Sequence, residues 1–381
     1  MSKFISLFML SLGFLAFNAN AEVPPAPDLA VKAYLLKDFN SGQVLAERNS
    51  NDRVEPASLT KIMTAYLSFK ALKNGQLKLD QVLPISEKAW RVEGSKMFID
   101  TTMTVTVDEL LHGMIIQSGN DASIALAEGI GATEETFATL MNKEAARLGM
   151  KNTHYMNATG LPDPQHYTTA YDLSLLAAAL IRDFPDQYKR LYSVKEYTYN
   201  KITQPNRNRL LFLDPTVDGM KTGHTESAGY CLISSAKRGD GRFISVVLGA
   251  ANDNARAAES QKLLNYGFAF YESTLVYKAG QNIQAQKVWK GADSEVSATV
   301  ANDLVVTLPK GEYSKVKAKI VSKKGLVAPI AAGQEVATIQ FSLDGKLIDQ
   351  RKLVAAKEIK DRKSTRLNSS HIPLSRMPSS A

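Results

Sequence analysis

Cysteine is nearly absent: Cys231 stands alone in 381 residues, which excludes any internal disulfide. At an apolar strand position it reads as a small buried hydrophobe. Long apolar runs are missing too, apart from one at the N-terminus that is shorter than the ~20 residues a spanning helix needs. There is no internal repeat and no low-complexity tract. The histidines are few and scattered: outside residues 361–381, His112, His154, His166 and His224 have no H-x-x-x-H or other clustered ligand spacing, so each reads as a surface or packing residue. The pattern calls for no metal and no other cofactor. Nor is there a basic stripe interleaved with aromatics, so a nucleic-acid partner is not expected. Half of the formal net charge of +8 comes from Lys3 and from residues 361–381, and neither end reads as part of the folded protein.

At the N-terminus, Lys3 precedes an apolar run from Phe4 to Phe17, and Ala19-Asn20-Ala21 supplies a small-x-small cleavage site. Residues 1–21 are predicted to be a secretory signal peptide. Export without disulfides fits a bacterial envelope, so Asn157-Ala158-Thr159 is not read as a glycosylation site. The other end is anomalous. Asp361 to Ala381 has no apolar periodicity, and its back-translation can be written as a common sequencing-library adapter. Residues 361–381 are therefore set aside as an artefact expected to be disordered.

The remaining length predicts two domains, 22–273 and 274–360. In the first, helical patterns alternate with short strands. A hairpin pairs Val31 to Asp38 with Gln43 to Arg48, and a helix then runs from Ser58 to the Asn74-Gly75 stop. Thr106-x-x-Glu109 is a capping box, Thr133 starts a helix that Gly149 ends, and Thr169-x-x-Asp172 starts another. Strands at Tyr230 to Ser235 and Phe243 to Ala250 precede a helix from about Asn254 to Tyr271. Beyond Ser273 the pattern changes to short β-rich runs separated by Gly, Pro and Asp, which predicts a small all-β domain.

The chemistry begins at Pro56-Ala57-Ser58-Leu59-Thr60-Lys61, where helical spacing puts Ser58 and Lys61 on one face. A serine hydroxyl is a weak nucleophile at neutral pH and needs an adjacent base. A lysine desolvated enough to lose its proton can be that base. Taken alone, S-x-x-K is common, and Ser58 could simply cap a helix with Lys61 in its solvated first turn. Two further clusters weigh against that simpler reading. Ser118-Gly119-Asn120 follows the apolar segment Leu110 to Gln117 at a turn able to present polar side chains into a cleft. Lys221-Thr222-Gly223 opens a β-hairpin, where glycine allows a ligand backbone to come close.

S-x-x-K, then S-x-N, then K-T-G is the ordered set of penicillin-binding proteins and serine β-lactamases. The stretches Pro56 to Thr64, Ser118 to Ala122 and Lys221 to Thr225 resemble the low-molecular-mass penicillin-binding proteins that are D-alanyl-D-alanine carboxypeptidases. The resemblance runs from about Val31 to Ile359. It implies an α/β (α+β) serine β-lactamase/transpeptidase-like domain, with helices around an antiparallel sheet, followed by the small all-β domain. It also implies removal of the terminal D-alanine from peptidoglycan pentapeptide stems, with β-lactams as inhibitors. By resemblance, Ser58 forms the acyl-enzyme, Lys61 is its base, Ser118 relays protons and Asn120 holds the substrate amide. Lys221, Thr222, Gly223 and His224, assisted by Arg256, would bind the substrate around its terminal carboxylate. Lys61 would be kept neutral by burial and by Lys221. Backbone N–H groups of Ser58 and of the strand beyond Lys221 would stabilise the oxyanion.

A β-lactamase of the same fold is the nearest rival, and it needs a deacylating group. Residues Lys151 to Arg182 contain no glutamate, and the middle motif is S-G-N rather than S-D-N. A transpeptidase would use the same residues with an amine acceptor. A non-catalytic envelope-binding protein would have no need of the serine-lysine pair. The resemblance places the natural protein in the periplasm, peripheral on the outer face of the cytoplasmic membrane through a C-terminal amphipathic helix. Pro373 and Pro378 prevent the tail written here from being that helix.

Overall fold

The computed structural model describes residues 23–362. The predicted leader, and the tail beyond Arg362, lie outside the described residues. Asp361 bridges Gly291, and the Arg362 amide donates to the Lys290 carbonyl at 2.9 Å.

The first domain is built on a five-stranded antiparallel sheet. Its strands are β1 (Ala33–Asp38), β2 (Val44–Arg48), β3 (Val217–Thr225), β4 (Gly229–Arg238) and β5 (Gly241–Ala250), in the order β2-β1-β5-β4-β3. Period-two alternation explains why β1 is buried throughout. Leu35 enters one apolar cluster and Leu36 the other, because successive side chains point to opposite faces. In β5, Val246 and Val247 divide in the same way. Cys231 of β4 is buried, in keeping with its reading as a small hydrophobe.

One face carries the C-terminal helix of the domain, Asp253–Phe270, through Leu263 and Leu264. The other face carries the helices that position the site: α1 (Lys61–Lys73), α2 (Val107–Ile116), α3 (Asn120–Gly131), α4 (Glu134–Leu148) and α5 (Ala170–Asp183). Their starts follow the predicted signals. Thr106 and Glu109 form a complete capping box, the Thr133 and Thr169 hydroxyls accept from amides three residues on, and Gly149 ends α4 in the left-handed conformation. Among the described residues no helix is long and apolar enough to cross a membrane.

The expected composition shift at Ser273 falls inside β6 (Tyr271–Tyr277), which pairs with the strand Leu304–Pro309. A second five-stranded antiparallel sheet follows, with its own apolar core around Val296, Ile339 and Leu353. The β1–β2 turn touches this domain directly, with Ser41 Oγ 2.6 Å from Thr307 Oγ1.

Candidate active site

The predicted helix start at Ser58 needs correction. Ala57–Thr60 is a 3-10 turn, and α1 begins only at Lys61. A 3-10 turn has three residues per turn, so positions i and i+3 eclipse and Ser58 stands directly beside Lys61. The Ser58 hydroxyl makes no capping bond, which removes the simple helix-cap reading. Instead it lies 2.9 Å from Lys61 Nζ.

Lys61 is 1 % exposed, and its ammonium nitrogen also reaches Asn120 Oδ1 at 2.7 Å and the Thr159 carbonyl at 2.6 Å. Both of these partners can only accept. A neutral amine has two hydrogens for them and one lone pair left, which then faces the Ser58 hydroxyl. Burial first and the Arg207 guanidinium second lower the Lys61 pKa, Asp121 and Glu134 oppose them, and the balance leaves it at about 7. Burial is the first cause, as expected, and the charge that assists it is corrected from Lys221 to Arg207.

Ser118 sits between α2 and α3 with φ of +63°, a conformation costly for a residue with a Cβ and held here by its surroundings. The Gly119 amide bonds the Gly113 carbonyl at 3.0 Å, and the Asn120 amide bonds the Ser95 carbonyl at 2.7 Å. Buried Asp121 accepts from the amides of Met97, at 3.0 Å, and Phe98, at 2.9 Å, tying down the loop that precedes them. Gly94 of that loop, at φ of +86°, has no room for a side chain, since a Cβ there would lie 2.8 Å from Asn120 Nδ2. Asn120 Nδ2 donates to the Glu93 carbonyl at 2.6 Å, so both ends of its amide are held by the protein.

Lys221-Thr222-Gly223 lies within β3 rather than at its start, and β3 is the edge strand of the sheet. Buried Lys221 donates to Ser118 Oγ at 2.9 Å and to the Thr222 carbonyl at 3.0 Å. Its pKa is held well below the ordinary lysine value by burial, then by Lys61, Arg207 and Arg256. Arg256 donates to the Gly223 carbonyl at 3.3 Å and pairs with Asp253. His224 packs on Tyr230 with ring centroids 4.0 Å apart.

Of the nine predicted residues, Ser58, Ser118, Thr222, Gly223, His224 and Arg256 line one cavity of about 890 Å³. Lys61, Asn120 and Lys221 stand buried behind that wall. The other histidines are elsewhere: His112 stacks on Tyr197, His154 bonds the Gln165 carbonyl, and buried His166 bonds Thr60, with burial lowering its pKa to about 4.

Sequence reasoning missed Arg207 and Arg209, which also line the cavity. Asn206 and Asn208 are buried and bond the neighbouring backbone, so the two arginines between and after them project outward. That Asn-Arg alternation, N-R-N-R just ahead of K-T-G, is the signal that could have found them. Thr159 and Gly160 were also missed. Asn157 Oδ1 accepts from the Gly160 amide at 2.7 Å and the Thr159 hydroxyl at 3.0 Å, shaping the turn that aims the Thr159 carbonyl at Lys61. Gly160 has φ of +84°, and a Cβ on it would lie 1.8 Å from the Ala57 carbonyl oxygen. Gly160→Ala is therefore expected to move the Ser58 turn, at a left-handed backbone cost of about 1–2 kcal/mol plus the clash. Thermal melting checks this, and an unchanged midpoint would contradict it.

Comparison with known proteins agrees with this geometry. Residues 19–252 match the family described as "D-alanyl-D-alanine carboxypeptidase", and residues 271–361 match the "Penicillin-binding protein 5, C-terminal domain". D-alanyl-D-alanine carboxypeptidase DacC of Escherichia coli is 43% identical over 364 residues, covering 93% of this chain and 90% of its own. The crystal structure of penicillin binding protein 5 from Haemophilus influenzae superposes with a TM-score of 0.84 at 42% identity, over 89% of this chain and all of that one. Penicillin-Binding Protein D2 from Listeria monocytogenes, solved in the ampicillin-bound form, gives a TM-score of 0.60 at 32% identity over 64% of this chain and 100% of its own. The chain therefore belongs to the D-alanyl-D-alanine carboxypeptidases, a family of serine peptidases, and carries the C-terminal domain of penicillin-binding protein 5.

Proposed function

We propose that Ser58 attacks the carbonyl between the two terminal D-alanines of a peptidoglycan stem peptide, with Lys61 as the general base. The Ser58 proton passes to the Lys61 lone pair as the Cβ–O–C ester bond forms. The amide C–N bond then breaks, and its nitrogen takes a proton by way of Ser118. D-alanine leaves, and water hydrolyses the ester to regenerate Ser58. The observation that carries this reading is Lys61 Nζ, buried and 2.9 Å from Ser58 Oγ, with two carbonyl oxygens occupying its other hydrogens.

Asn120 acts chiefly by holding Lys61, since its Oδ1 is already committed there. Lys221 and Thr222 receive the terminal carboxylate, with Arg256 and Arg207 adding positive charge at the cavity wall. An arriving carboxylate favours the charged form of Lys221 and offsets the effect of its burial. The oxyanion is taken by the Ser58 amide and by an amide on the outer edge of β3, where no further strand of the sheet competes for it. β-Lactams, which present a carboxylate and a strained amide, acylate the same serine. The enzyme works outside the cytoplasmic membrane, in the periplasm and at the membrane's outer face, as Met1 to Ala21 reads as a leader. Recovery of the native protein in a cytoplasmic fraction would refute that location.

Mass spectrometry of a reaction with diacetyl-L-Lys-D-Ala-D-Ala tests the activity, which predicts release of one D-alanine and a shortened peptide. Release of none would overturn it. The pH profile tests the base. Lys61 acts only when neutral, so acylation should rise about tenfold per pH unit below about 7 and level off above it. A rate independent of pH between 5 and 8 would exclude Lys61 as the base.

A further inference from the structure

A second cavity, of about 540 Å³, lies between the two domains. Its first wall is the end of β1 and the turn that follows, from Lys37 to Gly42. A second is one face of α5, with Leu175, Ala178, Ala179 and Arg182 at helical spacing. The third comes from the other domain, with residues 300–305 and Arg351. None of these side chains takes part in the carboxypeptidase site.

Lys37 is the unusual member. It is 5 % exposed, and among the described residues its side chain makes no ion pair and no hydrogen bond. Its one polar contact is the Tyr171 ring, 5.3 Å from Nζ to the centroid. An ammonium with so little access to water and no anionic partner is costly, and a cation–π contact recovers only part of that cost. Burial accordingly lowers the Lys37 pKa. The other cations of the cavity are committed: Arg182 pairs with Asp183 at 2.9 Å, Arg351 with Asp349 at 3.0 Å, and Lys352 with Glu335 at 3.1 Å. The one carboxylate in the lining, Asp303, is held by the Ala279 amide at 2.8 Å. The cavity therefore has one strong positive centre that lacks a counter-charge, with room beside it.

We propose that this interdomain cavity is a binding site for a small oxyanion, a phosphate or a carboxylate, that pairs with Lys37. Arg351 would meet the same ligand from the second domain through Nη1, since its pair with Asp349 and its bond to Ser41 use Nε and Nη2. It already donates to the Ser41 carbonyl in the β1–β2 turn, so it spans the junction. An anion held between Lys37 and Arg351 joins the two domains where Ser41 and Thr307 already touch. The ligand is limited in size by the cavity, and Leu175 and Leu304 give any short aliphatic part an apolar wall.

The experiment uses the whole protein after acylation with penicillin, which occupies the active-site cavity and its own cations. Equilibrium dialysis with inorganic phosphate and, separately, with succinate at constant ionic strength measures binding and tells the two oxyanions apart. The expected result is one saturable site per chain for at least one of them, weakened tenfold or more in both Lys37→Met and Arg351→Gln. Penicillin labelling should be unchanged in both variants, because neither residue belongs to the catalytic cavity. Absence of a saturable site for either ion in the wild type overturns the proposal. So does binding that is unchanged in Lys37→Met. Should Lys37→Met fail to fold, unchanged binding in Arg351→Gln overturns it instead.

Discussion

Ser58→Ala and Lys61→Ala are each expected to abolish covalent labelling by a fluorescent penicillin, lowering the acylation rate by roughly three or more orders of magnitude, as when one member of a nucleophile-base unit is removed. Ser58→Ala deletes the attacking oxygen and leaves the backbone turn intact, so its melting temperature should stay near that of the wild type. Lys61→Ala has a second consequence. Lys61 is fully buried, so its loss leaves Asn120 Oδ1 and the Thr159 carbonyl without their shared donor. An unmet buried acceptor costs about 1–3 kcal/mol, while removal of a desolvated ammonium works the other way. Circular dichroism therefore has to accompany the labelling. Undiminished acylation in folded Lys61→Ala would take the lysine out of the mechanism.

Lys221→Ala should lose peptide turnover and penicillin labelling together, because both ligands bring a carboxylate to the same point. Truncating one partner of a buried charge pair costs roughly 2 to 5 kcal/mol, about 30-fold to several-thousand-fold in kcat/KM. Lys221 also donates to Ser118 Oγ, so part of the loss could come from Ser118 rather than from the carboxylate. Peptides with amidated C-termini separate the two effects. If Lys221 binds the carboxylate, amidated peptides are poor substrates for the wild type and are little affected further by the mutation. Loss confined to amidated peptides, with free-carboxylate peptides still bound, would show the assignment to be wrong.

Much of the machinery is legible because it is local. Ser58 and Lys61 are three residues apart, Ser118 and Asn120 two, and Lys221 to Gly223 are consecutive, so each cluster keeps its geometry within one turn or one strand. The capping residues Thr106, Thr133 and Thr169 are legible for the same reason, since a cap satisfies amides only two or three positions away. The sequence also carried the division into an α/β part and a β-rich part, because periods of 3.6 and 2 are properties of short windows.

The rest depends on contacts between residues far apart in the chain. No local pattern says that β1 pairs with β5, which follows it by some two hundred residues and makes β3 an open edge facing the cavity. The desolvation that brings Lys61 to about 7 comes from the packing of α3 and the 157–160 turn over the start of α1, and Arg207 reaches it from a separate loop. Gly160 reads as an ordinary turn glycine until the Ala57 carbonyl is found where its Cβ would be. Lys37, too, looks like a solvated residue near the end of a hairpin strand, and becomes a buried cation only when α5 and the second domain close around it. By itself the sequence determined which chemical groups are present and the short-range order among them. Their protonation, their burial and the wall opposite each of them were decided by the tertiary structure, because desolvation and Coulomb interactions depend on distance in space, whatever the separation along the chain.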